Sequence, residues 1–277
     1  DIDIYVTTAA SPDEESYFCC YDEKRDSYVG SSYSNFWIKN TETFDLQKET
    51  LQEQYEYIKT NSYDTVDAKQ HYYEHTQQYG DMEMAKLPVS QFLGYKTSPT
   101  NPNNINTISG FGKGCDVVSK PDVAIHLLQK RINNASDVSE KLRYVKELEI
   151  ILKGREYVDN VLYEYVNSIQ HLIPNIGTNA IIDTKHELNN RHCYRQLVDT
   201  FHQNCFNLSQ NPYVLTKMQI FVNICEQMRD SSDADIAVNR LTQHCDRNIN
   251  HKTAHPIPRH FLGTETYGDL AVDRMSY

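Results

Sequence analysis

Residues 96–121 read KTSPTNPNNINTISGFGKGCDVVSKP, and this stretch divides the chain. Pro, Asn, Gly, Ser and Thr dominate it, and neither a strand nor a helix period runs through it. It reads as an exposed linker, the kind of segment in which proteolytic nicking concentrates. Residues 1–95, ahead of it, look mixed α/β. Ile2, Ile4 and Val6 alternate with Asp3, Tyr5 and Thr7, and Ser16–Tyr21 (SYFCCY) is a second strand-like run beyond the turn residues Ser11-Pro12-Asp13. From Asp45 the period becomes helical, with Leu51, Tyr55 and Ile58 on one face, and Val89–Leu93 reads as a further short strand. A strand needs sheet partners, so the opening strand calls for others later in the chain or ahead of it.

Residues 122–246, after the linker, look all-helical. Four apolar stripes recur at helical spacing. The first is Val138, Leu142, Val145, Leu148 and Leu152, and the second is Val158, Val161, Leu162, Tyr165, Ile169 and Leu172. The third is Leu197, Val198, Phe201 and Cys205, and the fourth is Leu215, Met218, Phe221, Val222 and Cys225. Asp137 with Glu140 resembles a capping box, and Asn211-Pro212 an N-cap followed by Pro at N1. Ile236, Arg240, Leu241 and Cys245 suggest a last short helix. Short connections between such helices make a bundle, and residues 250–277 read as a loosely ordered tail.

The chain has 277 residues, 39% hydrophobic and 23% charged, with a mean hydropathy of −0.65. It contains no apolar run long enough to span a bilayer. Its net charge of −11 argues against a protein that tracks nucleic-acid phosphates. The opening DIDIYVTTAA has neither the basic start nor the apolar core of a secretory leader. The charge is unevenly spread. Residues 1–100 carry 18 acidic and 8 basic side chains, and residues 101–277 carry 20 and 19. Only His71 and His75 of the 11 histidines fall in the first block. Two parts with such a contrast can attract one another in a way that depends on acidity.

Of the seven cysteines, Cys193, Cys205, Cys225 and Cys245 fall on or beside helical stripes. Four cysteines allow three connectivities. A zinc site is the rival, but the ligands are too widely spaced for the usual closely paired sets. Two disulfides are therefore expected, and with them an oxidising compartment. The sequons Asn134-Ala135-Ser136 and Asn207-Leu208-Ser209 agree, making Asn134 and Asn207 candidate glycosylation sites. Cys19 and Cys20 read as buried structural thiols, since no histidine precedes His71 to mark either as a nucleophile. Cys115 is left over.

At the level of motifs, Tyr5-Val6-Thr7-Thr8-Ala9-Ala10-Ser11-Pro12, Glu15-Ser16-Tyr17 and Tyr21-Asp22-Glu23-Lys24-Arg25 resemble the legumain family of asparaginyl endopeptidases. So do Tyr28-Val29-Gly30, Tyr33-Ser34, Trp37, Leu46-Gln47-Lys48-Glu49-Thr50-Leu51, Gln54-Tyr55, Gln78-Tyr79-Gly80 and Gln91-Phe92-Leu93-Gly94. The four-cysteine helical part, with Asn204-Cys205-Phe206-Asn207, is similar to the family's C-terminal prodomain. Order and spacing agree from residue 1 to about 246.

That resemblance implies the C-terminal part of a caspase-like α/β domain (1–95), a linker (96–121), an activation segment (122–156) and a helical prodomain (157–249). It implies cysteine peptidase chemistry after Asn, more weakly after Asp, by a Cys–His dyad with an oxyanion hole. In the family both dyad residues precede the strand that Ile2–Thr8 resembles, so no catalytic residue is assigned in this chain, and the chain by itself is expected to be inactive. Ser16 and Tyr17 match the segment whose backbone pairs with substrate, and Glu15 stands where the family has a pocket serine. Ser31 replaces an aspartate that helps recognise the Asn amide, and a hydroxyl is the weaker acceptor. Asn133 and Asn134 fall near the self-cleavage position, which itself holds Ser136. The family pairing implies Cys193–Cys225 and Cys205–Cys245.

No cofactor, metal or membrane span is implied. The expected partners are protein or peptide substrates and the chain's own prodomain. The expected setting is lysosomal, endosomal, vacuolar or secreted, the gut lumen included. The charge contrast suggests that Lys130, Arg131, Arg143, Lys146 and Arg195 help hold the prodomain at neutral pH, until carboxylates protonate below about pH 5. Two rivals stand beside the zymogen: an impaired homologue whose helical domain inhibits or binds, motivated by Ser31, and a relative of the lipid-anchor transamidase. The four-cysteine helical part argues against the second.

Overall fold

The computed structural model describes residues 3–67, 70–94, 116–228 and 230–250. Ile2, Cys115, most of the expected linker and the tail from residue 251 lie outside the described residues. The chain divides into two compact units, residues 1–130 and 131–277.

In the first unit, β1 (Tyr5–Thr8) pairs antiparallel with β6 (Gln77–Gly80), Tyr5 opposite Gly80 and Thr8 opposite Gln77. The apolar members of the opening alternation, Ile4 and Val6, are the exposed ones. Tyr5 and Thr7 instead line a cavity of about 230 Å³ with Trp37, Tyr55 and Ile58. Gly80 has φ +94°, and a Cβ there would lie 2.1 Å from the Ile4 carbonyl oxygen, so this register needs glycine.

A second sheet carries β2 (Tyr17–Asp22) between β3 (Ser27–Ser31) and β7 (Val117–Ser119), all antiparallel. β7 corrects the linker reading. The buried pair Val117 and Val118 forms a strand at the end of an otherwise polar stretch, whose composition masked it. Two helices follow β3. Ser31 caps α1 (Ser32–Thr43) by exchanging bonds with Ser34, and Thr50 caps α2 (Leu51–Ser62) with Glu53 in the same reciprocal way. Tyr55 and Ile58 of the expected stripe are buried. Buried Asn40 joins the helices, donating to Glu49 Oε1 at 2.8 Å and accepting from Gln54 Nε2 at 3.0 Å. A hairpin of β4 (Asp64–Asp67) and β5 (Gln70–Tyr73) comes next. Val89–Leu93 is not a strand. Val89 and Ser90 donate to the carbonyls of Glu49 and Leu46, and Ser90–Leu93 turns into one helical turn, α3. With the ladder donors of Val89 and Ser90 given to the α1–α2 connection, strand pairing is lost.

Helix α4 (Val123–Asn134) runs across the division. In the second unit α5 (Val138–Ser168) begins at Asp137, whose carboxylate accepts from Glu140 N at 2.9 Å. It is followed by α6 (Thr178–Asp183), α7 (Arg191–Asn204), α8 (Pro212–Leu215), α9 (Gln219–Gln227) and α10 (Ser231–Cys245). Pro212 takes N1 of α8, but Asn211 gives no side-chain cap. Its amide donates to Asn207 O instead. The core gathers Leu162, Tyr165, Ile169, Leu197, Phe201, Phe221 and Leu241, each at most 1% exposed. The second stripe is thus buried, as are Leu197, Phe201 and Cys205 of the third and Met218, Phe221, Val222 and Cys225 of the fourth, although Leu215 is exposed. The first stripe is not core: Val138, Leu142, Val145 and Leu152 face solvent, Val138 at 72% exposure. α5 is amphipathic there, but its buried residues, from Gly154 to Val166, all lie in its C-terminal half. Disulfides Cys193–Cys225 and Cys205–Cys245, with Cα atoms 5.8 and 5.0 Å apart, join α7 to α9 and the end of α7 to α10. No helix among the described residues is long and apolar enough to cross a membrane.

Candidate functional site

The β2–β3 register brings two of the sequence-marked segments to one end of a sheet. Phe18 pairs with Ser31, next to Tyr17, and Tyr17 pairs with Ser119 on the other side. Ser16 O accepts from Lys120 N at 2.9 Å. Glu15 is exposed. Burial, then the charges of Glu15 and Glu74, push the Tyr17 phenol up. The Ser31 hydroxyl accepts from Ser34 N at 3.2 Å, so the residue standing in for the family aspartate is also the N-cap of α1. Glu14 accepts from His75 N at 2.9 Å and from Ser11 N at 3.2 Å, and meets the His75 ring. Its slight burial works against ionisation, but these bonds hold its carboxyl well below the usual range.

Glu74, not singled out from the sequence, lies behind this segment and is 1% exposed. Its Oε1 accepts from Tyr17 N at 3.2 Å, and the nearby Ser16 hydroxyl also favours its charged form. Its Oε2 is buried without a hydrogen-bond partner. Burial pushes the carboxyl up to about 7, with the Glu14 charge acting in the same direction and the Tyr17 bond and the Ser16 hydroxyl opposing it. Tyr72 of β5 meets the Tyr17 ring edge-on, centroids 5.1 Å apart. The signal available in the sequence was a single acid set between Tyr72-Tyr73 and His75-Thr76.

The cysteines of this unit do not supply a nucleophile among the described residues. Cys19 is a free, buried thiol as expected, and burial, then the charges of Glu74 and Asp116, push it up to about 12. Cys20 is disulfide-bonded, which corrects its reading as a thiol. It sits at φ +64° where the β2–β3 pairing is interrupted. Among the described residues no cluster of His, Cys, Asp and Glu could hold a metal.

The candidate processing residues Asn133 and Asn134 are exposed at the C-terminal end of α4, and helix resumes only at Val138. Asn207 is half-buried, its side-chain oxygen accepting from Ser209 N at 3.0 Å. Four of the five cations expected to bind the acidic part, Lys130, Arg131, Arg143 and Arg195, have local partners. Lys130 pairs with Asp116 at 2.8 Å and lies over the Tyr21 ring, and Asp116 also accepts from Tyr21 N and Tyr28 Oη. Burial opposes that carboxylate's charge, but Lys130 and the two tyrosine bonds keep it below its ordinary value. Arg143 lies 3.7 Å from Glu140 and 4.0 Å from Glu147 on its own helix, and Arg195 lies 3.5 Å from Asp199. Arg131 stands over the Tyr144 ring.

Comparison with known proteins matches both parts. The Peptidase C13 family model covers residues 1–96, and the model of the legumain prodomain covers residues 146–245. Legumain of Bos taurus is 27% identical over 244 residues, 87% of this chain and 53% of the relative. A hemoglobinase of Schistosoma japonicum is 29% identical over 82% of this chain and 49% of its own length, and a vacuolar-processing enzyme of Vicia sativa is 29% identical over 81% and 47%. The chain spans about half the length of these curated relatives. With a Peptidase C13 region followed by a disulfide-linked legumain prodomain, the chain is similar along both parts to the legumain family of cysteine peptidases.

Proposed function

We propose that this chain is the C-terminal part of a legumain-type endopeptidase zymogen that cleaves after Asn, and more weakly after Asp. The dyad is contributed by the portion of the relatives' length that these residues do not span. The prodomain covers the active site until acid-triggered self-processing near residues 133–136. One observation carries the reading: a Peptidase C13 region and a legumain prodomain stand in order on one chain, with an exposed break in the helix at the expected processing point. Ser16, Tyr17, Ser31 and Glu15 form the substrate-facing end of the β2–β3 sheet in this reading. A lysosomal, vacuolar or extracellular setting fits the two prodomain disulfides, which persist under oxidising conditions.

The test is to hold the intact protein at pH 4 and at pH 7, map new termini by mass spectrometry, and assay an Asn peptide beside Ala and Asp controls. Cleavage near 133–136 at pH 4 with Asn-directed activity supports the proposal; an unprocessed, inactive protein at both pH values overturns it. A second reading, an impaired homologue with an inhibitory or binding helical domain, is favoured by Ser31 alone. It predicts no Asn activity from the wild type and some from Ser31→Asp.

A further inference from the structure

The hairpin β4–β5 and the residue that follows it make contacts unlike those of an ordinary surface hairpin. Tyr72 turns its ring onto Tyr17, and Glu74 turns its carboxyl inward to the Tyr17 amide and the Ser16 hydroxyl. The adjoining His75 closes the same corner from outside, its backbone N–H and ring both on Glu14. The hairpin is tied down at its base, since Glu74 N donates to Tyr63 O at 3.0 Å. The rings of Tyr63 and Tyr73 meet at a tilt, centroids 5.3 Å apart. Tyr17 of the candidate substrate-binding segment is therefore held through its backbone by a side chain that is itself almost wholly buried, and through its ring by Tyr72.

We propose that Glu74, with Tyr72, is a positioning residue for the substrate-binding segment Ser16–Tyr17, and that the segment is correctly seated when the Glu74 carboxyl carries a proton. This rests on the reading of Ser16–Tyr17 as substrate-binding. Near-complete burial disfavours the charged carboxylate, although the bond from Tyr17 N favours it. One carboxyl oxygen is used by Tyr17, and among the described residues the other has no hydrogen-bond partner and no cation pairs with the group. The titratable groups around it are Glu14 from the loop before β2, Tyr17 and Cys19 from β2, Tyr72 from β5 and the adjoining His75. Of these, Glu14 is anionic, and its histidine partner is half-exposed and directed away onto Glu14. A neutral carboxyl fits this site; an ionised one must draw in water, which loosens the hairpin from Tyr17. The position of Glu74 near neutrality places that change between mildly acidic and neutral conditions.

The experiment compares wild type, Glu74→Gln and Glu74→Ala in the acid-processed intact protein. KM and kcat for one Asn peptide are measured from pH 5 to pH 8, and amide exchange is followed in peptides covering Tyr17 and residues 64–75. Gln reproduces the neutral carboxyl in shape. The expected results are a wild-type KM that rises at least threefold across neutrality at nearly constant kcat, a flat KM for Glu74→Gln, and a raised KM at every pH for Glu74→Ala. Protection of the Tyr17 amide, after correction for the intrinsic pH dependence of exchange, should fall with rising pH in wild type and not in Glu74→Gln. Superimposable wild-type and Glu74→Gln profiles, in KM and in exchange, would overturn the inference while leaving the peptidase reading intact. Absence of Asn cleavage in wild type would instead overturn the peptidase reading, and the exchange profiles would still decide whether Glu74 seats the segment.

Discussion

Replacing Glu74 by Gln should stabilise the first unit at neutral pH and leave it nearly unchanged in acid. The carboxyl is raised from 4.5 to about 7 by burial in the folded chain. Below pH 4.5 folded and unfolded states both hold the proton, and the group contributes no pH dependence. Between 4.5 and about 7 the unfolded chain releases its proton while the folded one keeps it, so stability falls as pH rises. The slope is about 1.4 kcal/mol per pH unit, and the fall totals about 3 kcal/mol at neutrality. Glutamine carries no such penalty and can keep the bond from Tyr17 N. Denaturant titrations of wild type and Glu74→Gln at pH 4, 5.5 and 7.5 should show the difference in unfolding free energy growing in favour of Gln by about 3 kcal/mol. A difference that stays constant with pH would refute the placement of an uncompensated carboxyl behind Tyr17. A difference that changes in the opposite sense would require a cation near Glu74, and none faces it among the described residues.

Other positions give independent checks. Ser31→Asp restores the family's charged acceptor and keeps a good N-cap for α1, so kcat/KM for an Asn peptide should rise by about tenfold or more with no loss in thermal stability. Removing the Cys205–Cys245 bridge opens a separation of 40 residues and should cost the prodomain about 4 kcal/mol in denaturant unfolding. Asn223 is fully buried, donating to Ile181 O and Thr184 O and accepting from His186 N and Gln219 Nε2. Asn223→Ala strands several of these groups and should cost about 3 kcal/mol or more, read as a lowered melting temperature of the prodomain. His244 is held below its ordinary value by burial, against the pull of the Val161 carbonyl bonded to its Nε2. Its contribution is present above about pH 6.5 and is lost as pH falls toward the folded value, so His244→Gln should flatten the prodomain's stability below that pH.

Much of the architecture was legible where period and punctuation agree. The stripe Leu51, Tyr55, Ile58 became α2, and Asp137 does cap α5. The disulfide pairing came only from the family resemblance, because three connectivities satisfy the same spacings. The failures have physical causes. Val89–Leu93 has strand composition, but the N–H groups of Val89 and Ser90 are bound by the α1–α2 connection and those of Gln91, Phe92 and Leu93 close a local turn. Val138, Leu142, Val145 and Leu152 keep a helical apolar face without a core beneath it, since amphipathicity states which side is apolar and not what covers it. Val117 and Val118 were hidden by their polar neighbours until the register with Cys19 and Phe18 gave them a sheet. At the candidate site, Ser16, Tyr17 and Ser31 could be named from motifs. Glu74 could not, because its importance lies in being buried 57 positions away from the amide that it accepts from.

The proposal that this chain is part of a self-processing asparaginyl endopeptidase can be put to a single decisive test. The intact protein is incubated at pH 4 and at pH 7, and its new C-termini are sequenced by mass spectrometry while an Asn peptide and its Ala counterpart are assayed in the same samples. The expected result is cleavage in the exposed stretch at residues 133–136 at pH 4, with Asn-directed activity appearing alongside it and neither at pH 7. A protein that acquires Asn-directed activity without any cut in that stretch, or is cut there and remains inactive on Asn peptides, would contradict it.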